Sequence, residues 1–306
     1  MKKAVLILFT AVSIFMSCSE NESRVKTTDN KTQGKRDQIF VVSTITIIND
    51  IVKNIGREKV KTHSICGVGI DPHTYHATPV DPKLVSKSDI IFINGLNLEH
   101  WMEEMIKFAG GAKRVETVTT GITPLTDDKG FGDPDPHAWF DARNIKVYAD
   151  NIAKGLISID PENEAYYKSN LEQYILAIDS LHEWILREIN SIPEDHRVLI
   201  TSHDAFRYFG KAYGMDVKGL QGISTEAKVQ TEDVKNLIDF IKSKNLKSVF
   251  IETSVNPKLL EQISSETNAN IGGTLFSDSI GNEDSPEGTY IGAVRHNVNT
   301  IVNALK

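Results

Sequence analysis

Short apolar runs rich in β-branched residues alternate with helical patterns from residue 39 onward. The runs predict strands at 39–45, 59–65, 89–94, 112–118, 197–201, 248–252 and 271–276. Helical patterns lie near 46–55, 81–87, 97–109, 231–244, 257–267 and 287–305. This alternation is typical of βαβ units, so the chain is predicted to be an α/β protein with mostly parallel sheets.

The segment 161–192 has the spacing of one long helix. Its apolar positions are three or four residues apart and fall on Tyr167, Leu171, Tyr174, Ile178, Leu181, Ile185 and Ile189. Pro161 suits a helix start and Pro193 a helix end. About thirty residues would form a rod of roughly 45 Å. We therefore predict α/β lobes at 39–150 and 196–306, joined by a long linking helix within 151–195 that opposes wide hinge motion.

The N-terminus has the pattern of an export signal. Two lysines precede the apolar run 4–15, which is too short to span a bilayer. Ser17 and Cys18 end this segment like the lipobox of bacterial lipoproteins, although Phe15 departs from its usual aliphatic residue. Residues 1–18 are thus interpreted as a signal peptide with lipid on Cys18, the alternative being an ordinary cleavage site nearby. The polar stretch 19–38 is predicted to be a flexible tether. This reading places the protein in the periplasm or at the cell surface, anchored to a bacterial membrane.

Charge and composition limit the kinds of partner that the protein can bind. The 34 Lys and Arg against 41 Asp and Glu give a net charge of −7, which argues against nucleic-acid binding and suits cations. The remaining cysteine, Cys66, is predicted to be buried and structural. The sequence has no GxxxxGK[ST] phosphate-binding loop, so transport driven by ATP would need a separate ATPase.

Three histidines lie in turns expected to follow strands, at the strand ends where open α/β sheets bind ligands. His73 and His137 each follow Asp-Pro, which stiffens the turn, and His203 lies in Thr-Ser-His-Asp. Imidazole nitrogens are good ligands for first-row metals. Asp278 lies just past the last predicted strand and is a candidate fourth ligand. A helix-capping or turn role for Asp278 fits its spacing equally well.

Six segments together resemble the metal-binding solute-binding proteins of bacterial ABC transporters for zinc and manganese, the ZnuA/TroA-like family. In chain order they are DPHTYHATPVD (71–81), NGLNLEHWM (94–102), DPHAWFD (135–141), TSHDAFRYFGKAYG (201–214), QGISTEA (221–227) and GGTLFSDSIG (272–281). The resemblance implies two lobes joined by a long helix, with a metal bound in the cleft between them. It also implies that His73, His137, His203 and Asp278 are the ligands. His76 stands where many members have an acid, and it is interpreted as a residue behind the ligands or at the rim of the site.

The resemblance implies a receptor that passes Zn(II) or Mn(II) to an ABC permease with its own ATPase. The imidazole of His203, where manganese receptors frequently have a carboxylate, favours zinc. The body is expected to be a monomer. Glu226 and Glu252 are candidate acceptors for the second ring proton of a ligand histidine. Two other readings stay open: a zinc hydrolase with Asp278 as base and water in an open coordination position, and an adhesin or metallochaperone partner using the same site.

Overall fold

Four parallel strands form the sheet of the first half of the protein. The computed structural model describes residues 38–111, 113–126 and 133–306, so the predicted signal peptide, Cys18 and the tether up to residue 37 lie outside the described residues. The strands are β1 (Ile39–Ser43), β2 (Val60–Ser64), β3 (Ile90–Ile93) and β4 (Val115–Thr117). Their order in the sheet is β2-β1-β3-β4. The central strands are buried and β-branched, as expected for a parallel sheet covered on both faces.

Helices pack around this sheet. They are α1 (Thr46–Gly56), α2 (Asp81–Lys87), α3 (Met102–Phe108) and α4 (Ala142–Ile159). The Asp141 side chain accepts a hydrogen bond from the backbone N–H of Arg143 and so caps the start of α4. Helix α4 is absent from the pattern-based prediction above. It lies against β3, where Gly155 leaves room for the ring of Phe92.

The second half contains two parallel strand pairs. β5 (Val198–His203) pairs with β6 (Asp216–Gln221), and β7 (Ser248–Glu252) pairs with β8 (Asn270–Leu275). The helices are α6 (Arg207–Tyr213), α7 (Thr231–Lys244), α8 (Lys258–Thr267) and α9 (Tyr290–Leu305). Strand β6 is also absent from the pattern-based prediction. The α/β class and the parallel sheets expected from the sequence are confirmed.

Helix α5 (Glu164–Asn190) connects the two halves. It packs against α1 and α4 from the first half and against α6 and α9 from the second. The linking segment was predicted at 151–195, but its first residues belong to the end of α4. A 3-10 turn at Pro161–Asn163 separates α4 from α5. Asn170, a polar residue, is part of the buried stripe of α5 because its side chain donates to the carbonyl of Ile55.

One apolar core runs through both halves. The cluster includes Ile48 of α1, Leu181 of α5, Phe206 before α6 and Val298 of α9. Burial of this continuous core keeps the ends of the strands, where the candidate ligands lie, in fixed relation. Among the described residues, none of the helices is long and apolar enough to cross a bilayer.

The burial of α5 can be tested with two leucines on the same helix. Leu181 is 0% exposed and Leu176 is 67% exposed. We expect Leu181→Ala to lower the free energy of unfolding by about 2–5 kcal/mol, because it removes buried methyl groups and leaves a cavity. The matched Leu176→Ala variant should change it by less than about 0.5 kcal/mol. Urea unfolding followed by circular dichroism measures both, and equal effects would contradict the packing of α5.

Candidate metal centre

The four candidate ligands lie on four different connections of the fold. His73 is in the loop after β2, and His137 precedes the 3-10 turn Ala138–Phe140. His203 is the last residue of β5, and Asp278 lies in the loop after β8. The first half thus supplies two imidazoles, and the second half supplies one imidazole and one carboxylate.

Both Asp-Pro-His turns are closed by the same local contact. The carboxylate of Asp71 accepts a hydrogen bond from the backbone N–H of His73 at 2.9 Å. The carboxylate of Asp135 accepts the equivalent bond from His137 at 3.0 Å. An Asp side chain that bonds the backbone two residues on fixes the turn, and the intervening proline has no N–H to compete for it. The sequence motif therefore presents each histidine in a set direction.

The structure brings the four side chains together at one point. Their candidate ligand atoms all lie within 4.8 Å of one another, and this is the one such group found among the described residues. His137 Nε2 is 3.2 Å from His73 Nε2 and 3.3 Å from His203 Nε2. The carboxylate oxygens of Asp278 are 3.4 Å from His137 Nε2 and 3.6 Å from His203 Nε2. The site is closed to solvent, since His73 is 4% exposed and the other three are 1% exposed or less.

Two further carboxylates hold the far sides of the imidazole rings. Asp135 Oδ1 lies 2.8 Å from His137 Nδ1, and Glu252 Oε2 lies 2.6 Å from His203 Nδ1. Glu252 Oε1 also accepts the backbone N–H of His203 at 2.9 Å. A carboxylate beside Nδ1 favours the tautomer with the proton there, through a hydrogen bond at His137 and through its charge at His203, and this tautomer leaves the Nε2 lone pair free. The rings are therefore oriented with their Nε2 atoms toward the common point.

The same contacts set the pKa values of the buried groups. Burial lowers the pKa of His73 to about 3. Burial would also lower the pKa of His137, but hydrogen bonds to Asp135 and Asp278 outweigh it and raise the value. The charges of Glu252 and Asp278 likewise overcome burial and raise the pKa of His203 well above its usual value. The site thus stabilises positive charge near His137 and His203.

Asp278 keeps one oxygen without a protein hydrogen bond. Its Oδ2 accepts hydrogen bonds from Ser254 Oγ at 2.7 Å and Ser277 Oγ at 3.2 Å. Its Oδ1 is buried and has no hydrogen-bond partner among the described residues. Burial alone would raise the pKa of Asp278, but the charge and close approach of His203 and His137 outweigh it, so the pKa lies well below its usual value. A buried, ionised oxygen facing three imidazoles is suited to binding a cation.

Two of the nitrogen–nitrogen distances fit a tetrahedral cation. Zn–N bonds of about 2.0–2.1 Å at tetrahedral angles place neighbouring nitrogens about 3.3 Å apart. The two Nε2 distances at His137, 3.2 and 3.3 Å, match this value. Three neutral imidazoles and one carboxylate are a ligand set that zinc accepts.

The structure brings together the four residues that the sequence predicted as ligands, and it adds a supporting carboxylate, Asp135, that the sequence did not indicate. His76 is exposed and lies outside the group, which fits a position at the rim rather than one behind the ligands. Of the two candidate acceptors, Glu252 contacts His203, whereas Glu226 is exposed, and its backbone N–H donates to Ser224 of its own loop. Asp135 was considered only for the stiffness of its turn. The repeated Asp-Pro-His spacing was the signal that could have identified it.

Comparison with known proteins gives relatives over almost the whole chain. The chain is 38% identical over 290 residues to the manganese-binding lipoprotein MntA of Bacillus subtilis, covering 91% of this chain and 94% of that protein. It is 38% identical over 273 residues to the zinc-binding protein TroA of Treponema pallidum, covering 87% and 88%. It is 34% identical over 318 residues to the manganese ABC transporter substrate-binding lipoprotein PsaA of Streptococcus anginosus, covering 100% and 99%.

Solved structures agree with these relatives. The periplasmic zinc-binding protein TroA from Treponema pallidum superposes with a TM-score of 0.84 at 36% identity, covering 88% of this chain and 99% of that one. A Mn-bound periplasmic metal-binding protein from candidatus Liberibacter asiaticus gives a TM-score of 0.79 at 28% identity, covering 88% and 100%.

The family described as "ZnuA: Zinc-uptake complex component A periplasmic" matches residues 41–304. With relatives above 30% identity across most of the chain, the resemblance seen in the sequence motifs is confirmed. The chain belongs to the ZnuA family of metal-binding substrate-binding proteins of ABC transporters.

Proposed function

We propose that this protein captures Zn(II), in preference to Mn(II), outside the cytoplasmic membrane and delivers it to an ABC permease with a separate ATPase. The observation that carries the proposal is the convergence of four buried side chains, His73, His137, His203 and Asp278, on one point. Their atoms are spaced for direct coordination, and each ring with an outer carboxylate is held in position.

The three nitrogen ligands of the site favour zinc over manganese. Three imidazoles and one carboxylate form a softer set than the oxygen-rich sites that suit manganese, and zinc lies above manganese in the usual order of affinities. The relatives are named for either metal: manganese for MntA and PsaA, and zinc for TroA. The preference of this chain is therefore proposed from its own donor atoms.

Asp278 distinguishes a receptor from the hydrolase alternative. A hydrolytic zinc site keeps an open position for water and needs a base beside it. Here both oxygens of Asp278 lie within 3.6 Å of a histidine Nε2, which supports a closed set of four ligands. Relatives named as ABC transporter substrate-binding proteins also support binding and delivery over catalysis.

The location and assembly of the protein are part of the proposal. Several relatives are named as lipoproteins, which supports a lipid on Cys18 and a position at the outer face of a bacterial cytoplasmic membrane or in the periplasm. The four ligands all come from one chain, so a monomer suffices to build the site.

The ligand set is tested by metal competition and by loss of one imidazole. The purified protein should bind zinc and resist its displacement by a large excess of manganese, measured by competition titration.

His203→Ala should weaken zinc binding by more than the roughly 10- to 100-fold that loss of an outer partner costs. Circular dichroism should show that the metal-free variant is folded. Unchanged zinc affinity in this variant would contradict the assignment of His203 as a ligand.

The outer carboxylate on His203 offers a separate test with a matched control. Glu252→Gln removes the charge beside His203 Nδ1 at nearly constant volume, so zinc affinity should fall by about tenfold or more. Glu226→Gln makes the same change on an exposed residue and should leave the affinity unchanged. Isothermal titration with a competing chelator measures both. Equal affinities of the two variants would show that Glu252 does not orient the ligand.

Zinc should compete with protons for this site. Because nearby carboxylates raise the pKa values of His137 and His203, protons compete with zinc for these rings and must leave when the metal binds. Burial lowers the pKa of His73 to about 3, so His73 contributes none. Zinc binding should therefore release protons, and affinity should rise with pH. Calorimetry in buffers of different ionisation enthalpy counts the protons, and a count of zero would contradict this account.

A further inference from the structure

The side-chain hydrogen bonds of Asp71 reach both halves of the protein, whereas those of Asp135 go to His137, with Arg207 of the second half 3.8 Å from its other oxygen. One oxygen of Asp71 accepts the backbone N–H of His73 at 2.9 Å, as Asp135 does for His137. Asp135 then uses the same carboxylate to orient the ring of its own histidine. The second oxygen of Asp71 instead accepts a hydrogen bond from Thr225 Oγ1 at 2.6 Å, across 154 residues of sequence.

Thr225 lies in the loop 222–229, which has few other attachments. Among the described residues, the other hydrogen bonds found for this loop stay within it or reach nearby residues of the second half. Most of these bonds are long: Gln221 Nε2 donates to the carbonyls of Thr225 and Ala227 at 3.5 and 3.3 Å, and the Asp204 N–H donates to the Gly222 carbonyl at 3.3 Å, while at the end of the loop Gln230 Nε2 donates to the Lys228 carbonyl at 2.9 Å. A loop held by weak bonds opens at low free-energy cost. The short bond to Asp71 therefore carries much of its attachment to the first half.

The loop lines two cavities close to the candidate ligands. Ile223 and Ser224 line a cavity of about 250 Å³ together with His73. Thr225 and Asp71 line a second cavity of about 380 Å³. Ser202, next to His203, and Ser254, which bonds Asp278, also line that cavity. Movement of this loop would thus change access to the candidate ligands of both halves.

We propose that the Thr225–Asp71 hydrogen bond is a clasp that retains the bound cation, an inference that rests on the metal-binding function proposed above. Thr225 and Asp71 act as positioning residues and do not bind the metal. One carboxylate holds both the His73 backbone and the loop. A cation that fixes His73 therefore also fixes the acceptor for Thr225, and a closed loop in turn stabilises the bound position of His73. Such coupling is reciprocal, so breaking the clasp weakens retention of the cation.

Thr225→Val tests the clasp by replacing the hydroxyl with a methyl group of similar shape. Hydrogen bonds to a charged acceptor are the stronger kind, so the rate of zinc dissociation should rise by about tenfold. Thr225→Ser keeps the hydroxyl and should restore the wild-type rate. Ser224→Ala removes a hydroxyl that bonds only inside the loop, to the Glu226 N–H, and should leave the rate unchanged.

The rates can be measured on the full chain loaded with zinc, by mixing with excess EDTA and following tryptophan fluorescence. Trp139 is a suitable reporter because its ring lies 5.2 Å from that of His137 and its indole N–H donates to Ser277, next to Asp278. Hydrogen exchange gives a second readout. Zinc should increase amide protection in the loop 222–229 of the wild type, and Thr225→Val should lose this gain.

Dissociation rates and loop protection in Thr225→Val that equal those of the wild type would overturn the clasp while leaving zinc binding itself intact. A faster rate in Ser224→Ala or in Thr225→Ser, equal to that of Thr225→Val, would also overturn it, since general loosening of the loop would then explain the effect. A wild-type chain that binds no zinc would overturn the proposed function and the clasp together.

Discussion

Electrostatic repulsion among buried lone pairs is the constraint on which the centre of this protein depends. His137 Nε2 lies 3.2 and 3.3 Å from the Nε2 atoms of His73 and His203, and all three rings are buried. Unprotonated nitrogens at this spacing repel one another unless a proton or a metal cation lies between them. The carboxylates of Asp135, Asp278 and Glu252 raise the pKa values of His137 and His203, so the surroundings of these rings favour positive charge. A divalent cation placed between the nitrogens removes the repulsion and also uses the Asp278 oxygen that has no hydrogen bond among the described residues.

The surrounding fold keeps these groups together and restricts movement of the two halves against each other. Helix α5 packs against helices of both halves, and one apolar core continues through them. Close to the centre, the indole N–H of Trp139 donates to the Ser277 carbonyl, and Tyr290 Oη donates to the carbonyl of Trp139. The first bond ties the segment that carries His137 to the loop that carries Asp278, and the second ties that segment to the start of α9. Large rigid-body opening would break both the core and these bonds, so passage of a cation is better served by local movement of loops.

The two Asp-Pro-His turns illustrate how one motif takes two roles. Both aspartates fix the backbone of the histidine that follows. Asp135 is 0% exposed and reaches the ring of its own histidine, which strengthens the imidazole as a ligand. Asp71 is partly exposed and reaches Thr225 in the other half. The difference arises from what the tertiary structure places opposite each carboxylate, since the local sequences are alike.

The sequence by itself determined the α/β class, most strands and helices, and the four residues of the candidate site. Apolar periodicity and Asp-Pro-His turns are local signals, because each depends on residues only a few positions apart. The structure alone decided the elements with weak patterns, such as α4 and β6, and the polar Asn170 within the buried face of α5. It also decided that Asp135, Glu252 and Thr225 meet His137, His203 and Asp71. Two of these three contacts join residues 49 or more positions apart, so only packing of the whole chain could create them.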